Sequence, residues 1–297
     1  MRIYYGISAN FIDVTDICLS KLRSNDIITI PSCDAIRANY FSDPLFGIHK
    51  SIFISIDDEL FEYDEHKIVK IDLVSNTMLA VDSNEINSKI NNIHSKLSIK
   101  YGSLYEELPE QKMAVMYLNG DEKILEIGGN VGRNSLVIAS ILHDETNLVT
   151  LECDNNIADQ LMENRNLNNF NFHIEKSALS NRKLIQRGWD TKPSDSDTLE
   201  RGYKWVNTIS LDELKNKYNI EFDTLVLDCE GAFYYILMDM PEILDNINLI
   251  IMENDYHDIN HKNYIDGILT QNNFRVDYSE CGGWGPCFSN FFEVWRR

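Results

Sequence analysis

From Lys123 onward, short apolar runs alternate with segments of helical spacing, and this alternation constrains the fold more than any other feature of the chain. The apolar runs lie at residues 124–127, 148–151, 170–174, 224–227 and 249–252. Because parallel strands need a crossover long enough to return the chain, the pattern predicts a mostly parallel sheet with helices on both faces. The last two runs, at residues 274–278 and 288–295, have no helix between them and predict an antiparallel C-terminal hairpin.

The first part of the chain has a different texture. Residues 1–82 consist of short apolar alternations separated by turn residues such as Pro31 and Asp43-Pro44, which is typical of a small β-rich domain. Residues 83–100 are polar, with Ile86 and Ile90 at helical spacing. We therefore expect an α/β protein in three parts: a β-rich domain at 1–82, a linker at 83–102 and the α/β domain at 103–297.

Charge and cysteine content narrow the class of protein. The chain carries 27 Lys and Arg against 47 Asp and Glu, a formal net charge of −20, so that it would repel a long polyanion. No two of the 6 cysteines stand at Cys-x-x-Cys spacing, which argues against a zinc ribbon. No apolar run reaches the roughly 20 residues of a membrane span. We expect a cytoplasmic protein that binds no nucleic acid and does not insert into a membrane.

A glycine-rich loop follows the first strand of the α/β part. It contains the candidate cofactor-binding residues Gly128, Gly129, Asn130, Gly132 and Asn134, and it leads directly into a helix-like segment. Glycines at this point let the backbone turn sharply and approach a ligand, at the edge where open α/β sheets bind nucleotides. The spacing differs from the Gly-x-Gly-x-x-Gly of a pyrophosphate loop.

Two acidic residues indicate the nature of the ligand. Glu126 lies within the first strand, where it would disfavour a pyrophosphate but favour the ammonium group of a methionine moiety. Glu152 ends the second strand, next to Cys153, where a carboxylate can accept hydrogen bonds from both hydroxyls of an adenosine ribose. Together they predict S-adenosylmethionine as cofactor. The alternative is a tight turn with no ligand and a solvated Glu152.

Residues 122–295 resemble the FkbM-type S-adenosylmethionine-dependent methyltransferases, within the class I Rossmann-like methyltransferases. The resemblance rests on four segments: 125–132, 177–180, 208–214 and 222–232. The last contains the Asp-x-Glu-Gly-Ala pattern of the family. Gly129 stands where the family often has alanine, which should be harmless, and Phe233 stands where it often has glutamate. Ser177, Ala178 and Asp228 fall in the matched segments and complete the predicted cofactor site.

This resemblance implies an O-methyltransferase that acts on a sugar hydroxyl of a glycan or nucleotide-sugar, so that the expected partner is a sugar-containing acceptor. Two other functions remain open from the sequence. One is a methyltransferase for a small metabolite, a lipid or a protein side chain, and the other is a non-catalytic binding module that retains the fold. Whether the protein forms a homodimer is also open.

Methyl transfer to a hydroxyl requires a base near the cofactor. The strand ends on the cofactor side offer Glu230, Glu253 and His257 as catalytic residues, with His257 or Glu253 as the base, Glu230 as a ligand of the acceptor hydroxyl and Asp228 at the methionine end. Carboxylates crowded at neighbouring strand ends either raise a pKa or recruit a divalent cation such as Mg²⁺. For His257, a loop histidine paired with a neighbouring aspartate is the competing interpretation.

A long insertion at residues 181–204 separates the third and fourth strands. It holds six basic and four acidic residues, with Trp189 and Tyr203 inside it and Trp205 just after it. This composition suggests a cap that stacks on a sugar ring and contacts a phosphate of the acceptor. A solvated loop is the alternative.

Overall fold

A computed structural model describes residues 1–188 and 190–297, and its central feature is a seven-stranded sheet. The strands of this sheet are β9 (Ile124–Ile127), β10 (Leu148–Leu151), β11 (His173–Glu175), β17 (Thr224–Leu227), β18 (Leu249–Glu253), β19 (Arg275–Glu280) and β20 (Phe292–Arg296). Their order is β11-β10-β9-β17-β18-β20-β19. The first five are parallel, and β20 pairs antiparallel with both β18 and β19. The predicted α/β fold, with an antiparallel C-terminal hairpin, is confirmed.

The predicted strands agree best with the observed strands where an apolar run is buried on both faces of the sheet. All four residues of β9, β10 and β17 are buried, and their bounds match the sequence prediction. The third strand begins at His173 instead of residue 170, and residues 170–172 connect it to the left-handed turn at Asn169 (φ 56°). The last strand begins at Phe292, because the segment before it forms a 3₁₀ helix, Gly285–Asn290, with Pro286 in its first turn.

The N-terminal part contains two four-stranded antiparallel sheets. One has the order β2-β1-β5-β6 and the other β3-β4-β7-β8. Their strands are β1 (Arg2–Ile7), β2 (Asn10–Asp13), β3 (Arg23–Ser24), β4 (Ile27–Ile30), β5 (Ser51–Ile56), β6 (Glu59–Tyr63), β7 (Lys67–Asp72) and β8 (Thr77–Asp82). Two helices that the sequence reading missed, α1 (Thr15–Lys21) and α2 (Asp34–Phe41), accompany them. The β-rich character is confirmed, and this part has its own core around Tyr5 and Ile54.

Seven further helices follow the N-terminal sheets within the described residues 83–188 and 190–297. They are α3 (Ser83–His94), α4 (Leu108–Tyr117), α5 (Arg133–Ile141), α6 (Asn155–Leu167), α7 (Leu211–Tyr218), α8 (Ala232–Asp239) and α9 (Ile259–Gln271). The predicted linker thus contains a helix, and Ile86 and Ile90 of α3 belong to the same core cluster as the central sheet. Short 3₁₀ helices lie at Glu145–Asn147 and Pro241–Leu244.

The insertion of residues 181–204 is ordered into strands. β13 (Leu184–Arg187) pairs antiparallel with β14 (Asp190–Pro193) and with β15 (Lys204–Val206). Two short parallel strands, β12 (Ala178–Leu179) and β16 (Thr208–Ile209), flank this small sheet in the chain. Trp189, which we expected to contribute to a cap, lies outside the described residues.

Polar contacts connect the N-terminal part to the hairpin edge of the central sheet. The Ser24 hydroxyl donates to Glu293 Oε1 over 2.6 Å, and the Ser279 N–H donates to Thr29 Oγ1 over 3.3 Å. Lys70 Nζ lies 2.6 Å from Asp277 Oδ2. The division of the chain into three parts at 82/83 and 102/103 stays a prediction. The contacts show that the N-terminal part is packed against the α/β part.

Among the helices of residues 1–188 and 190–297, none combines the length and the apolar composition needed to cross a bilayer.

A buried ion pair stabilises the hairpin side of the sheet. Lys262 of α9 is 2% exposed, and its Nζ lies 2.9 Å from Oε2 of Glu293, which is fully buried. Lys262 also pairs with Asp266, one helical turn further along α9. Removing one partner of a buried pair leaves an uncompensated charge.

We therefore expect Lys262→Ala to lower the free energy of unfolding by about 3–5 kcal/mol. The matched control is Lys89→Ala, whose side chain is 58% exposed and pairs with Glu85 on α3, and which should cost no more than about 0.5 kcal/mol. Urea denaturation followed by circular dichroism measures both. Equal effects of the two substitutions would contradict this assignment.

Candidate cofactor and acceptor site

The glycine loop after β9 is in backbone contact with the loop after β17. Gly128 adopts φ +94°, and a Cβ built on it would lie 1.6 Å from the carbonyl oxygen of Asp228. The N–H groups of Gly128 and Gly129 both donate to the Leu151 carbonyl, over 3.0 and 2.9 Å. Gly128 is therefore required by the close approach of three strand ends, before any ligand is considered.

The other glycines of the loop have separate roles. A Cβ on Gly129 would lie 2.2 Å from Thr150 Oγ1, so glycine, where the resembled family often has alanine, fits this position, and alanine would require Thr150 to move. Gly132 (φ 91°) is the N-cap of α5 and has left-handed backbone. Asn134, in the first turn of α5, is buried, and its Oδ1 has no hydrogen-bond partner.

Glu152 lies at the end of β10 with only 7% of its surface exposed. Its Oε2 accepts from the Asn130 N–H over 3.0 Å, and its Oε1 accepts from the Asp154 N–H over 2.7 Å. Burial raises the pKa of Glu152, and the two backbone donors oppose that rise. The carboxylate is thus fixed between the glycine loop and the start of α6, and each oxygen keeps capacity for one further donor.

A buried acid fixes the end of the third strand, and the sequence did not predict it. Glu175 of β11 accepts from the hydroxyl of Ser177 over 2.9 Å, from Lys217 Nζ over 2.6 Å and from the hydroxyl of Tyr218 over 2.9 Å. These donors hold the pKa of Glu175 below its usual value despite its burial. Lys217 and Tyr218 lie on α7, far from Glu175 in the chain. No local sequence pattern therefore predicts this contact.

One cavity at the carboxyl edge of the parallel strands collects most of the predicted cofactor residues. Those on its wall are Gly128, Asn130, Glu152, Cys153, Ser177, Ala178 and Asp228. Glu230, predicted to hold the acceptor, lines the same cavity, together with Tyr235 and Met240 from the segment after it.

The insertion contributes to this cavity as well. Leu184, Gln186, Thr191 and Pro193 of the hairpin β13–β14 line it beside Glu152. Lys204 of β15 pairs with Asp154, the residue that caps the N-terminus of α6. The inner face of the insertion therefore closes the predicted cofactor pocket, whereas the sequence suggested a role toward the acceptor alone.

A second, smaller cavity lies against the glycine loop and holds three of the four remaining predicted residues, whereas Gly132 lines neither cavity. Glu126, Gly129 and Asn134 line it, with Glu253 and Asp228. Glu126 is 3% exposed, accepts a hydrogen bond from the Ser135 hydroxyl and has a pKa raised to about 7 by burial. Glu126 does not line the larger cavity. The predicted contact with a methionine ammonium would therefore have to be made through the smaller one.

Helix α4 supplies two acids to the smaller cavity that sequence reasoning missed. Glu107 and Glu110 both line it. Glu107 pairs with Arg133 over 2.7 Å, and Glu110 Oε2 is buried without a hydrogen-bond partner. Because α4 precedes the first strand of the sheet, only its packing in space brings these residues to the site.

Three carboxylates at neighbouring strand ends form a group that can hold a metal ion. Ligand atoms of Asp228, Glu253 and Asp255 all lie within 4.8 Å of one another. Asp255 accepts from the Gly231 N–H through Oδ1 over 2.8 Å, while its buried Oδ2 has no hydrogen-bond partner among the residues that the structure describes. An oxygen-only donor set with an unsatisfied buried oxygen fits a hard divalent cation such as Mg²⁺.

The electrostatics of this group follow from burial and mutual repulsion. Burial, and then Glu107, raise the pKa of Asp228 well above its usual value. Burial, and then contact with Glu110 and Asp228, raise that of Glu253. Burial, and then Glu230, raise the pKa of Asp255 to about 7. Burial and mutual repulsion therefore favour the protonated forms of these three carboxyls, which disfavours Glu253 as a base.

His257 and Glu230 lie at the open side of the site. His257 is exposed, and its ring centroid is 4.4 Å from that of Trp284. Burial raises the pKa of Glu230, and the nearby His257 lowers it. Glu230 holds a left-handed conformation (φ 52°), which a residue with a side chain rarely adopts and which is common at functional sites.

Comparison with known proteins gives only a fold-level likeness. No protein-family model matches the chain, and neither does any curated protein. Among solved structures it is similar to the ribosomal protein L11 methylase of Lactobacillus delbrueckii subsp. bulgaricus, with 10% identity, 67% of this chain and 81% of that chain covered, and a TM-score of 0.42.

Two further structures show the same low similarity. One is an O-methyltransferase from Bacillus cereus in complex with SAH, with 17% identity, coverage of 75% of this chain and 95% of that one, and a TM-score of 0.41. The other is the precorrin 8W decarboxylase of Methanobacterium thermoautotrophicum, with 10% identity, coverage of 69% and 98%, and a TM-score of 0.39. Their differing activities assign none to this chain.

The backbone contact at Gly128 makes a specific prediction. Gly128→Ala should lower the free energy of unfolding by at least about 2 kcal/mol, because the new Cβ meets backbone and the residue must keep a left-handed φ. Gly267→Ala is the control, since a Cβ there meets nothing within 4 Å and the residue lies inside α9. Thermal melting should show a large loss for the first and no loss for the second. A Gly128→Ala protein as stable as the wild type would contradict the close approach.

Proposed function

We propose that this protein is an S-adenosylmethionine-dependent O-methyltransferase whose acceptor is a sugar hydroxyl of a glycan or nucleotide-sugar. The observation that carries the proposal is that one cavity, at the carboxyl edge of the parallel strands, combines the glycine turn at Gly128, the Glu152 carboxylate and Ser177. This is where open α/β sheets bind nucleoside ligands.

Each part of the cofactor has a matching group. The Glu152 oxygens accept from the ribose hydroxyls, since each has one backbone donor and room for another. Gly128 and Asp228, which are in backbone contact in the cavity wall, lie where the chain that leads to the sulfur would pass. The carboxylates Asp228 and Glu126 favour the positive charges of the methionine part. When bound, S-adenosylmethionine supplies an electrophilic methyl group on a sulfonium.

The acceptor would approach from the side of Glu230 and His257. Glu230 lines the cavity and orients the acceptor hydroxyl, and His257 is accessible to take its proton. The Trp284 ring beside His257 gives a surface on which the apolar face of a sugar can pack. The sugar itself is supported by the resemblance of residues 122–295 to FkbM-type enzymes.

A divalent cation is a second way to activate the hydroxyl. Asp228, Glu253 and Asp255 would hold it, and its charge would favour the ionised hydroxyl. Binding would also keep the three carboxylates ionised, although burial and repulsion otherwise raise their pKa values.

The cofactor assignment is tested by Glu152→Ala. Loss of hydrogen bonds to a charged acceptor costs about 1.5–3 kcal/mol each, so affinity for S-adenosylhomocysteine should fall at least about tenfold. Isothermal titration calorimetry measures it, with Glu85→Ala on the exposed surface of α3 as control. Unchanged affinity in Glu152→Ala would remove the ribose assignment, and no binding to the wild type would remove the proposed function.

The acceptor and the base are tested by methyl transfer. Labelled S-adenosylmethionine should transfer methyl to a nucleotide-sugar or glycan and not to lipids, peptides or small hydroxylated metabolites. With the acceptor found, His257→Ala should lower kcat by about a hundredfold while leaving the Kd for S-adenosylhomocysteine unchanged.

The metal route predicts a different result from the same assay. EDTA should then stop transfer, and added Mg²⁺ should restore it. Activity that survives both EDTA and His257→Ala would eliminate both routes and leave Glu230 as the base to test. Binding of S-adenosylhomocysteine without transfer to any acceptor would favour a non-catalytic binding module.

A further inference from the structure

We propose that Gln186, in the insertion, recognises the base of the cofactor by accepting a hydrogen bond from the exocyclic amine of adenine. The inference rests on the proposed function, because it assumes that the cavity binds an S-adenosyl compound. It assigns to the insertion a part in cofactor specificity.

Gln186 is held rigidly at the cavity wall. It lies on β13 directly opposite Thr191 of β14, and both side chains line the cavity. Gln186 is 4% exposed, and its Nε2 donates to Cys153 Sγ over 3.4 Å. Cys153 directly follows Glu152, so the amide lies next to the predicted ribose site.

The other end of the same amide lacks a partner. Gln186 Oε1 is buried and accepts no hydrogen bond within the described part of the chain. A buried acceptor left unsatisfied costs about 1–3 kcal/mol, so a donor from a ligand in the cavity would recover that free energy.

The position along the cofactor identifies the donor. With the ribose at Glu152 and the methionine chain directed toward Gly128 and Asp228, the base must extend to the opposite side of the ribose. Cys153, which follows Glu152, and Gln186, which is hydrogen-bonded to it, line the cavity, and we place the base against them.

The walls there suit a planar base. Leu184 and Pro193 offer apolar surfaces beside the Gln186 amide. The only exocyclic donor of adenine is its 6-amino group, and a glutamine amide is a common partner for that edge of adenine.

The experiment compares cofactor products that differ only in the base. Isothermal titration calorimetry would measure binding of S-adenosylhomocysteine, of S-inosylhomocysteine, in which a carbonyl replaces the amine, and of the analogue with unsubstituted purine. The wild-type protein should bind the two analogues at least about tenfold more weakly, because neither carries a donor at position 6 of the base for Gln186 Oε1.

Substitutions then assign this preference to one side chain. Gln186→Met keeps the volume and removes the acceptor, so its affinities for the three compounds should agree within about threefold. Lys192→Met, on the neighbouring strand and paired with Glu200 outside the cavity, should keep the wild-type preference. Thermal melting would check that both variants are folded, and the wild-type comparison needs no variant at all.

The outcomes separate the two levels of the proposal. Tight binding of S-adenosylhomocysteine with equal affinity for the analogues, or a full preference retained in Gln186→Met, would overturn the role of Gln186 alone. Absence of S-adenosylhomocysteine binding to the wild type would overturn the proposed function and this inference with it.

Discussion

The buried carboxylate of Glu293 is the contact on which the arrangement of the site depends. It is fully buried and receives hydrogen bonds from Ser24 in the N-terminal sheets, from Asn254 over 3.0 Å and from the Trp295 indole over 3.1 Å, besides its ion pair with Lys262. Asn254 stands between Glu253 and Asp255. The same carboxylate therefore fixes the loop that carries two of the site's acids, orients α9 and joins the N-terminal part to the central sheet. A buried charge this fully compensated specifies one arrangement of the elements around it.

A second theme is the concentration of acids at one edge of the sheet. Glu107, Glu110, Glu126, Asp228, Glu253 and Asp255 come from four different elements and the loops that follow them, and burial raises the pKa of most of them. Such a group cannot carry its full negative charge in a poorly solvated space. It is stable only with protons or cations present, so that a positively charged ligand is favoured there over a neutral one.

The sequence predicted the structure best where a segment's conformation is determined by its own residues and their close neighbours in the chain. The mostly apolar, fully buried runs of β9, β10 and β17 were predicted to the residue, because a four-residue buried strand between turn signals leaves little choice. The glycine loop and Glu152 were found by spacing, and they meet at one cavity.

The features that the sequence did not predict depend on contacts between distant segments. Glu110 and Glu175 carry no local signal, α1 and α2 are short and weakly patterned, and the face of the insertion that meets Cys153 depends on the pairing of Gln186 with Thr191.

The position of the N-terminal sheets has a consequence for assembly. An exposed edge strand presents unpaired backbone groups that can recruit a second copy of the chain. Here the hairpin edge at β19 is occupied, since Ser279 N–H bonds to Thr29 and Asp277 pairs with Lys70. The opposite edge is β11, a strand of three residues. A continuous central sheet running across two copies is thus blocked at one edge and has little backbone to offer at the other.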